Sequence, residues 1–469
     1  MNYAPKWEQE GWSPKRLTLE PATERLSNLS GLAPVIDLFT KNPLYLEFEK
    51  CLPKYLSNNS YHALHFSLLI IAGFLVGYDC MDDMEHFVND PVIIQMFGKV
   101  PTSHAFGDFL RAFRPENIIS LRAFLKNLAY FLSQKINPNS SIKFNMDSTA
   151  HPHCGDKIEG LEFNYKGQWC LDSLEVFSDE GFCFDFDLRP GNTFSSVGGA
   201  LMMDSIARPC DLLKPIFDFI RADSAFCNQE FIEMCLIKKL KGTITAHGNI
   251  GWMAMVDKIT NYKPWIYSKE EILEAIKKGV SLPQVEVGFY MYRPGWAKNI
   301  SFPVVVKKTF IPYERLTKKQ KEELKLQDKD PHLGLWKHYA VLSLMGLYPK
   351  SPQQILEFHQ GRSNMENMIR EGKINFDLTH FPCKPMTANH AYALLGMIAH
   401  NLMRTISLLD NRETPHFAKE LRRKFIHIPG RIVTRSHGQL LKIPQPYFKE
   451  VQTMLEAWAA TLDPPLSVA

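Results

Sequence analysis

Ser141-Ile142-Lys143-Phe144-Asn145-Met146-Asp147 is the stretch at which the chain changes character. Before it, apolar residues recur at helical intervals. Within it, polar and apolar residues alternate, the period of a half-buried strand. The alternation returns at Leu174, Val176 and Ser178. Asp179-Glu180-Gly181 makes a turn, and Phe182, Phe184 and Phe186 mark the returning arm of a hairpin. A helix is expected around Ser195–Ala207, a strand over Pro215–Asp223, a helix over Gln229–Leu240 and a strand over Gly242–Ala246. The order strand, strand, strand, helix, strand, helix, strand predicts an α/β fold, a mixed sheet with helices on its faces.

Toward the N-terminus, residues 1–138 read mostly as helix. His62–Gly77 is strongly apolar, and Asp82–Val88 and Pro91–Phe97 are shorter helical pieces. Ser103 is the expected N-cap of a segment with Phe106, Phe109, Leu110 and Phe113 at helical spacing. This region is expected to be accessory or DNA-binding. Toward the C-terminus, residues 251–345 interrupt the rhythm with strand-like pieces (Val285–Tyr292, Ser301–Lys308) and the charged stretch Arg315–Asp330, which together read as an insertion. Helices return at Pro352–Arg370 and Ala388–Leu409. The core is thus expected over 139–250 and 346–410, with the insertion subdomain over 251–345 and a basic segment over 411–469. Between Arg404 and Lys442, nine Lys/Arg stand against three Asp/Glu, a run that fits a solvated surface as well as a phosphate-binding one.

Composition narrows the class. The 469 residues are 45% hydrophobic and 22% charged, which excludes a disordered or collagen-like chain. Lys and Arg number 54 against 50 Asp and Glu, a net charge of +4, so there is no uniformly basic coat. Nine scattered cysteines without a CxxC pair read as reduced thiols rather than a disulfide frame or zinc ribbon. The longest apolar run, Phe66–Tyr78, is short of the roughly 20 residues a bilayer needs, so a buried helix and no membrane partner are expected. Met1–Arg16 carries no apolar signal core, so no secretion signal is expected. His151-Pro152-His153-Cys154 lacks a second cluster at zinc spacing. His153 is instead a candidate for approaching substrate, being close to Asp147. No Gly-rich phosphate loop is present, so ATP use is not indicated.

Three carboxylates stand out by position. Asp147 is expected at the end of the first strand, Asp223 at the end of a later one, and Glu366 within a helix. Strand ends are where open α/β sheets place ligands. Two Asp and one Glu offer oxygen ligands suited to two Mg²⁺ ions, and a metal pair about 4 Å apart assists both the attacking and leaving oxygens of a phosphodiester exchange. The chain has fifty acidic residues, and most strand-end Asp are solvated or capping, so position alone leaves this open. At about 100° per residue, Arg362, Glu366 and Lys373 share a narrow arc of one helix, with His359 at its border and an apolar stripe of Met365 and Ile369 beside it. Both a surface ion-pair ladder and an acid ligand flanked by phosphate-gripping cations fit that face.

These blocks resemble the bacterial insertion-sequence transposases of the DDE type, in the broad IS4/IS1380-like group. The resemblance runs from about residue 60 to 445. It is carried by FNMDST ending at Thr149, DLRPGN (Asp187–Asn192), IRADSAF (Ile220–Phe226), the signature spacing of Arg362, Glu366 and Lys373, the segment Ala388–Met403, and upstream SHAFGDFLRAF (Ser103–Phe113). His359 stands where the signature has Tyr, a residue thought in the family to contact phosphate.

The resemblance implies an RNase H-like catalytic core with a helical N-terminal domain and an insertion before the last catalytic helix. It implies Asp147, Asp223 and Glu366 as catalytic metal ligands for Mg²⁺, with Mn²⁺ as a substitute. His359, Arg362 and Lys373 would contact phosphate, and the basic Arg422, Arg423 and Arg431 would hold DNA. The implied partners are double-stranded DNA, both terminal inverted repeats and target, and a second copy of the chain in a synaptic homodimer. The implied place is the bacterial cytoplasm, at the nucleoid. Related enzymes hold a flipped base with an aromatic of the insertion. Trp265, Trp296 and Trp336 are candidates, although a structural role is the commoner use of Trp. Two rivals stand beside strand transfer: a DNA-binding relic without cleavage, and a metal-dependent nuclease without joining.

Overall fold

The computed structural model describes residues 21, 23–54, 61–138, 140–207, 218–326, 334–347, 350–436 and 438–462. Met1–Arg16, Cys210 and the first residues of the expected strand at 215–223 lie outside them. The sheet centres on the strand Lys143–Pro152. It pairs antiparallel with Trp169–Ser178, which pairs antiparallel with Cys183–Pro190. On its other side it pairs parallel with Phe219–Ala222, which pairs parallel with Lys241–Thr245. The order third, second, first, fourth, fifth, with only the second strand running opposite to the other four, is an RNase H-like core. The hairpin turns where its sequence reads as a turn. Gly181 adopts φ +90, and a Cβ there would sit 2.7 Å from the Arg404 and Met368 side chains.

Every residue of 169–178 except Trp169 is buried, so both faces of the sheet are covered. The helix Met386–Asp410 is buried from Ala388 to Leu408 on all sides. It also closes the open edge of the sheet. The Asn401 amide accepts from Cys183 N and donates to Cys183 O, both at 2.8 Å, and His390 Nε2 lies 3.0 Å from Phe186 O. An edge strand with unpaired backbone groups invites foreign strands; here two side chains of one helix occupy those groups.

The N-terminal helices do not form a separate body, because they share this core. Ala63–Val76 packs on the long helix, with the Phe74 and Tyr392 rings 4.8 Å apart. Twelve of its fourteen residues are buried, which accounts for its apolar sequence. Among the described residues, no single helix is long and apolar enough to cross a membrane. The N-cap expected at Ser103 is Thr102, whose hydroxyl accepts from Ala105 N; Ser103 is the first helical residue.

Residues 251–345 lie between the fifth core strand and the Glu366 helix and join the core sheet. Leu335–Ser343 pairs antiparallel with Lys241–Thr245, then Phe302–Ile311 and Val285–Tyr292 follow. These strands extend the core sheet, because Lys241–Thr245 would otherwise be an exposed edge. The charged stretch begins as the helix Lys318–Leu326 and continues outside the described residues. In the C-terminal segment, Gly430–Arg435 pairs with Gly438–Lys442 and with Arg25–Ser27, and the helix Gln445–Leu462 buries Val451, Met454 and Trp458.

Arg422, expected on a DNA-binding surface, is 7% exposed. Its guanidinium donates to Leu75 O at 3.0 Å and Phe74 O at 2.7 Å, and also to Asn375 O. It thus caps the C-terminal ends of two helices, where free carbonyls and the helix dipole favour a cation. Burial holds its pKa down, to about 10. Arg422→Ala leaves these buried carbonyls without a donor and should cost about 3 kcal/mol or more of stability. A urea midpoint unchanged in that variant would refute the capping role.

Candidate active site

Parallel pairing brings two of the three acids together. Met146 pairs with Ala222, and Asp147 and Asp223 are the residues that directly follow this pair. Such neighbours are about 4.8 Å apart. Asp147 is not at the end of its strand but at its middle. The strand runs on because Ser148 to Pro152 keep pairing with 169–178 after the parallel partner has ended. Asp223 directly follows the end of its strand; its carboxylate accepts from Ala225 N at 3.3 Å and caps the turn Ser224–Phe226. Glu366 is exposed in the first turn of the helix Ser363–Asn375. The three carboxylates line one groove of about 930 Å³, together with Arg362, Lys166, Asp172 and His247.

The Asp147 side chain is 18% exposed. Burial raises its carboxyl above the usual range, Arg362 draws it back down, and Asp223 pushes it up again. Arg362 Nη1 donates to Asp147 Oδ2 at 2.8 Å, and Ser148 N donates to Oδ1 at 3.0 Å.

The segment expected as one helix is two, Pro352–Gln360 and Ser363–Asn375. At the break, a Cβ on Gly361 would sit 2.8 Å from the Arg221 guanidinium, which itself stacks 4.2 Å from the Phe358 ring centre. The shared face of His359, Arg362, Glu366 and Lys373 is therefore divided. Arg362 and Glu366 face the groove. His359 does not: it is 4% exposed, with Nδ1 2.8 Å from Thr243 Oγ1 and Nε2 3.0 Å from Thr245 Oγ1. Burial, then Arg362 and Arg221, hold its pKa down to about 3. A neutral ring with both nitrogens engaged is not a phosphate contact.

Lys373 also departs from expectation. Its Nζ donates to Thr149 Oγ1 and to Ala150 O, both at 2.6 Å, so it anchors the helix to the Asp147 strand. Burial lowers its pKa, and Glu175 and Asp172 offset that. Arg423 and Arg431 are exposed on the C-terminal segment and do not line the groove.

Sequence reasoning missed the polar layer beneath Asp147. Glu175 is its cross-strand partner and is 2% exposed. Ser173 Oγ lies 2.6 Å from Glu175 Oε1 and 2.7 Å from His151 Nε2, and His151 Nδ1 lies 2.6 Å from Leu378 O. Arg189 Nε donates to Asp172 at 2.9 Å. The available signal was an acid inside the otherwise apolar Leu174-Glu175-Val176. His151 is thereby committed to the interior, and Cys154 is exposed, so HPHC gathers no metal site. His153 Nδ1 accepts from Gly155 N. The described cysteines are free thiols. Trp265, Trp296 and Trp336 do not line the groove; Trp265 and Trp336 pack against Lys307 and Lys308.

Among the described residues, no three His, Cys, Asp or Glu side chains are gathered closely enough to cage an ion. The donor set nevertheless fits a hard divalent cation. All three acids offer oxygen ligands, and the repulsion of Asp147 by Asp223 is what a cation would relieve.

A family model described as transposase DDE domain group 1 matches residues 13–463. No curated protein matches the chain.

Burial raises the Glu175 carboxyl to about 7, against 4.5 unperturbed. A raised carboxyl contributes stability that is fully present below about 4.5 and is lost as pH rises through about 7. Glu175→Gln stays neutral throughout. Its stability should fall less than that of the wild type between pH 4.5 and 8, by on the order of 3 kcal/mol. Parallel urea curves at both ends of the range would refute a protonated Glu175.

Proposed function

The chain belongs to the transposase DDE domain group 1 family, and from that premise we propose that it cuts the ends of an insertion sequence and joins them to target DNA. The observation that carries this reading is the pair Asp147 and Asp223, side by side on parallel strands, with Glu366 across the same groove. The spacing of Arg362, Glu366 and Lys373 favours the IS4/IS1380-like group within the family.

Asp147, Asp223 and Glu366 would hold Mg²⁺, or Mn²⁺ in its place, which when bound supplies polarisation of the phosphodiester and an activated oxygen nucleophile. The chain's own residues do the positioning. Asp147 and Asp223 hold negative charge at one end of the groove and Glu366 at its wall. Arg362, now on Asp147, is the cation that lies among the acids and would meet a phosphate entering there. Lys373 holds the Glu366 helix in place on the Asp147 strand. Water cleaves the bond at the element's end and leaves a 3′-OH, which then displaces a 3′ oxygen in the target. One phosphodiester is formed for one broken, so no covalent enzyme intermediate is required.

The DNA partners are the terminal inverted repeats and the target duplex, and holding two ends together calls for a homodimer. Arg423 and Arg431, exposed outside the groove, would contact the DNA backbone. The setting is the bacterial cytoplasm, at the nucleoid.

The test uses duplexes carrying the terminal repeats that flank the gene, incubated with the protein and Mg²⁺ or Mn²⁺. Nicking at the repeat boundary is expected from the wild type, with at least a thousandfold loss in Asp147→Asn. Equal nicking by both proteins would sink the acid assignment. Binding with neither metal giving cleavage would leave a DNA-binding relic, and cleavage without joining of the 3′ end to a second duplex would leave a nuclease.

A further inference from the structure

Tyr339 lies on Leu335–Ser343, the strand beside Lys241–Thr245. Its hydroxyl is 3.1 Å from Thr245 Oγ1. Thr245 Oγ1 is 3.0 Å from His359 Nε2, and His359 Nδ1 is 2.8 Å from Thr243 Oγ1. Thr243, His359, Thr245 and Tyr339 thus form one chain of hydrogen bonds, from the interior to the border of the acid site.

The direction of that chain follows from counting protons. His359 is neutral, so one ring nitrogen donates and the other accepts. Thr243 is 0% exposed, and among the described residues its hydroxyl meets only His359. Were Nδ1 the donor, the Thr243 proton would be buried without an acceptor, at a cost of about 1–3 kcal/mol. Thr243 therefore donates to Nδ1, and Nε2–H donates to Thr245 Oγ1. Between Thr245 and Tyr339 either hydroxyl can donate. When Thr245 donates, the Tyr339 proton has no acceptor within the chain and is available to a ligand in the groove.

Tyr339 is 39% exposed and within electrostatic reach of both Asp223 and Arg362. Its pKa is raised, by burial first, so the hydroxyl keeps its proton and acts as a donor rather than as an anionic ligand. Its cross-strand partner is Lys307, so the same face carries a cation. A donor hydroxyl beside cations suits an anionic acceptor.

We infer that Tyr339 is a substrate-positioning residue whose hydroxyl donates a hydrogen bond to a backbone phosphate of DNA lying in the acid groove. This rests on the reading of the groove as a DNA-cleaving site. Buried His359 serves by orienting the donor rather than by touching the phosphate.

Tyr339→Phe keeps the ring and removes the donor. With the flanking-repeat duplex, kcat/KM should fall by about tenfold to a hundredfold, the range for a hydrogen bond to a charged group, with an unchanged thermal midpoint. Thr245→Val, which breaks the chain but spares the phenol, should give a smaller loss. The decisive readout replaces one phosphate at a time by a neutral methylphosphonate. In the wild type, one replacement near the cut should weaken binding; in Tyr339→Phe, that same replacement should have no further effect while the others still do. Identical methylphosphonate profiles, or wild-type kcat/KM in Tyr339→Phe, would overturn the role of Tyr339 alone. A wild-type protein that neither binds nor cuts the duplex would overturn the cleavage reading and this inference with it.

Discussion

Two carboxylates on adjacent parallel strands are the constraint around which the molecule is arranged. The pairing of Met146 with Ala222 makes Asp147 and Asp223 neighbours, and the covered sheet removes much of the water that would screen them. Like charges in a poorly screened setting disfavour ionisation. Burial comes first in raising the Asp147 carboxyl and Asp223 adds to it, while the nearby Arg362 guanidinium partly compensates. Beneath, Glu175 and Asp172 add two more acids with raised carboxyls, countered by Lys373 and Arg189. A site this acidic is costly to fold around unless cations are built into it, and two of those cations, Arg362 and Lys373, sit at the N-cap and in the last turn of a single helix.

That helix, Ser363–Asn375, is fastened at both ends. Just before it, Arg362 reaches Asp147; near its end, Lys373 reaches Thr149 and Ala150. Beyond it, Leu378 O meets His151, and Arg422 closes on Asn375 O. Three of these four ties lead to the strand that carries Asp147. The position of Glu366 relative to Asp147 is therefore set by the strand itself and not by the loops that lead into the helix. The conformational entropy of the long Arg and Lys side chains is spent in folding, before any ligand arrives.

The strand order was legible because alternation and the Asp179-Glu180-Gly181 turn are local signals. The joint presence of Asp147, Asp223 and Glu366 in one groove was legible from the ordered blocks around them. What was not legible depended on burial. Arg422, Lys373 and His359 are polar residues in a polar-looking context, and nothing within a few positions of them announces that backbone carbonyls or threonine hydroxyls from distant strands will take up their donors. The break at Gly361 was hidden for the same reason, since the residue that occupies the space is Arg221, far away in sequence. The strands of 251–345 looked like an interruption because only the pairing of Leu342 with Ile244 shows that they continue the sheet.

The break at Gly361 and the burial of His359 belong together. Helix Pro352–Gln360 lies on the extended part of the sheet, with Ile355 and Leu356 packed against Val305 and Val341. Helix Ser363–Asn375 lies on the five-stranded core, with Met365 and Met368 buried. A helix running without interruption would have to follow one surface or the other, since core packing admits little slack. The change of direction falls on the one residue whose missing side chain lets Arg221 approach. It leaves His359 committed to the strand Lys241–Thr245 and turns Arg362, three residues later, toward Asp147. The added strands thus do more than close an edge. By giving the first helix a surface of its own, they separate the residue that organises hydroxyls at the border of the site from the residues that face its centre.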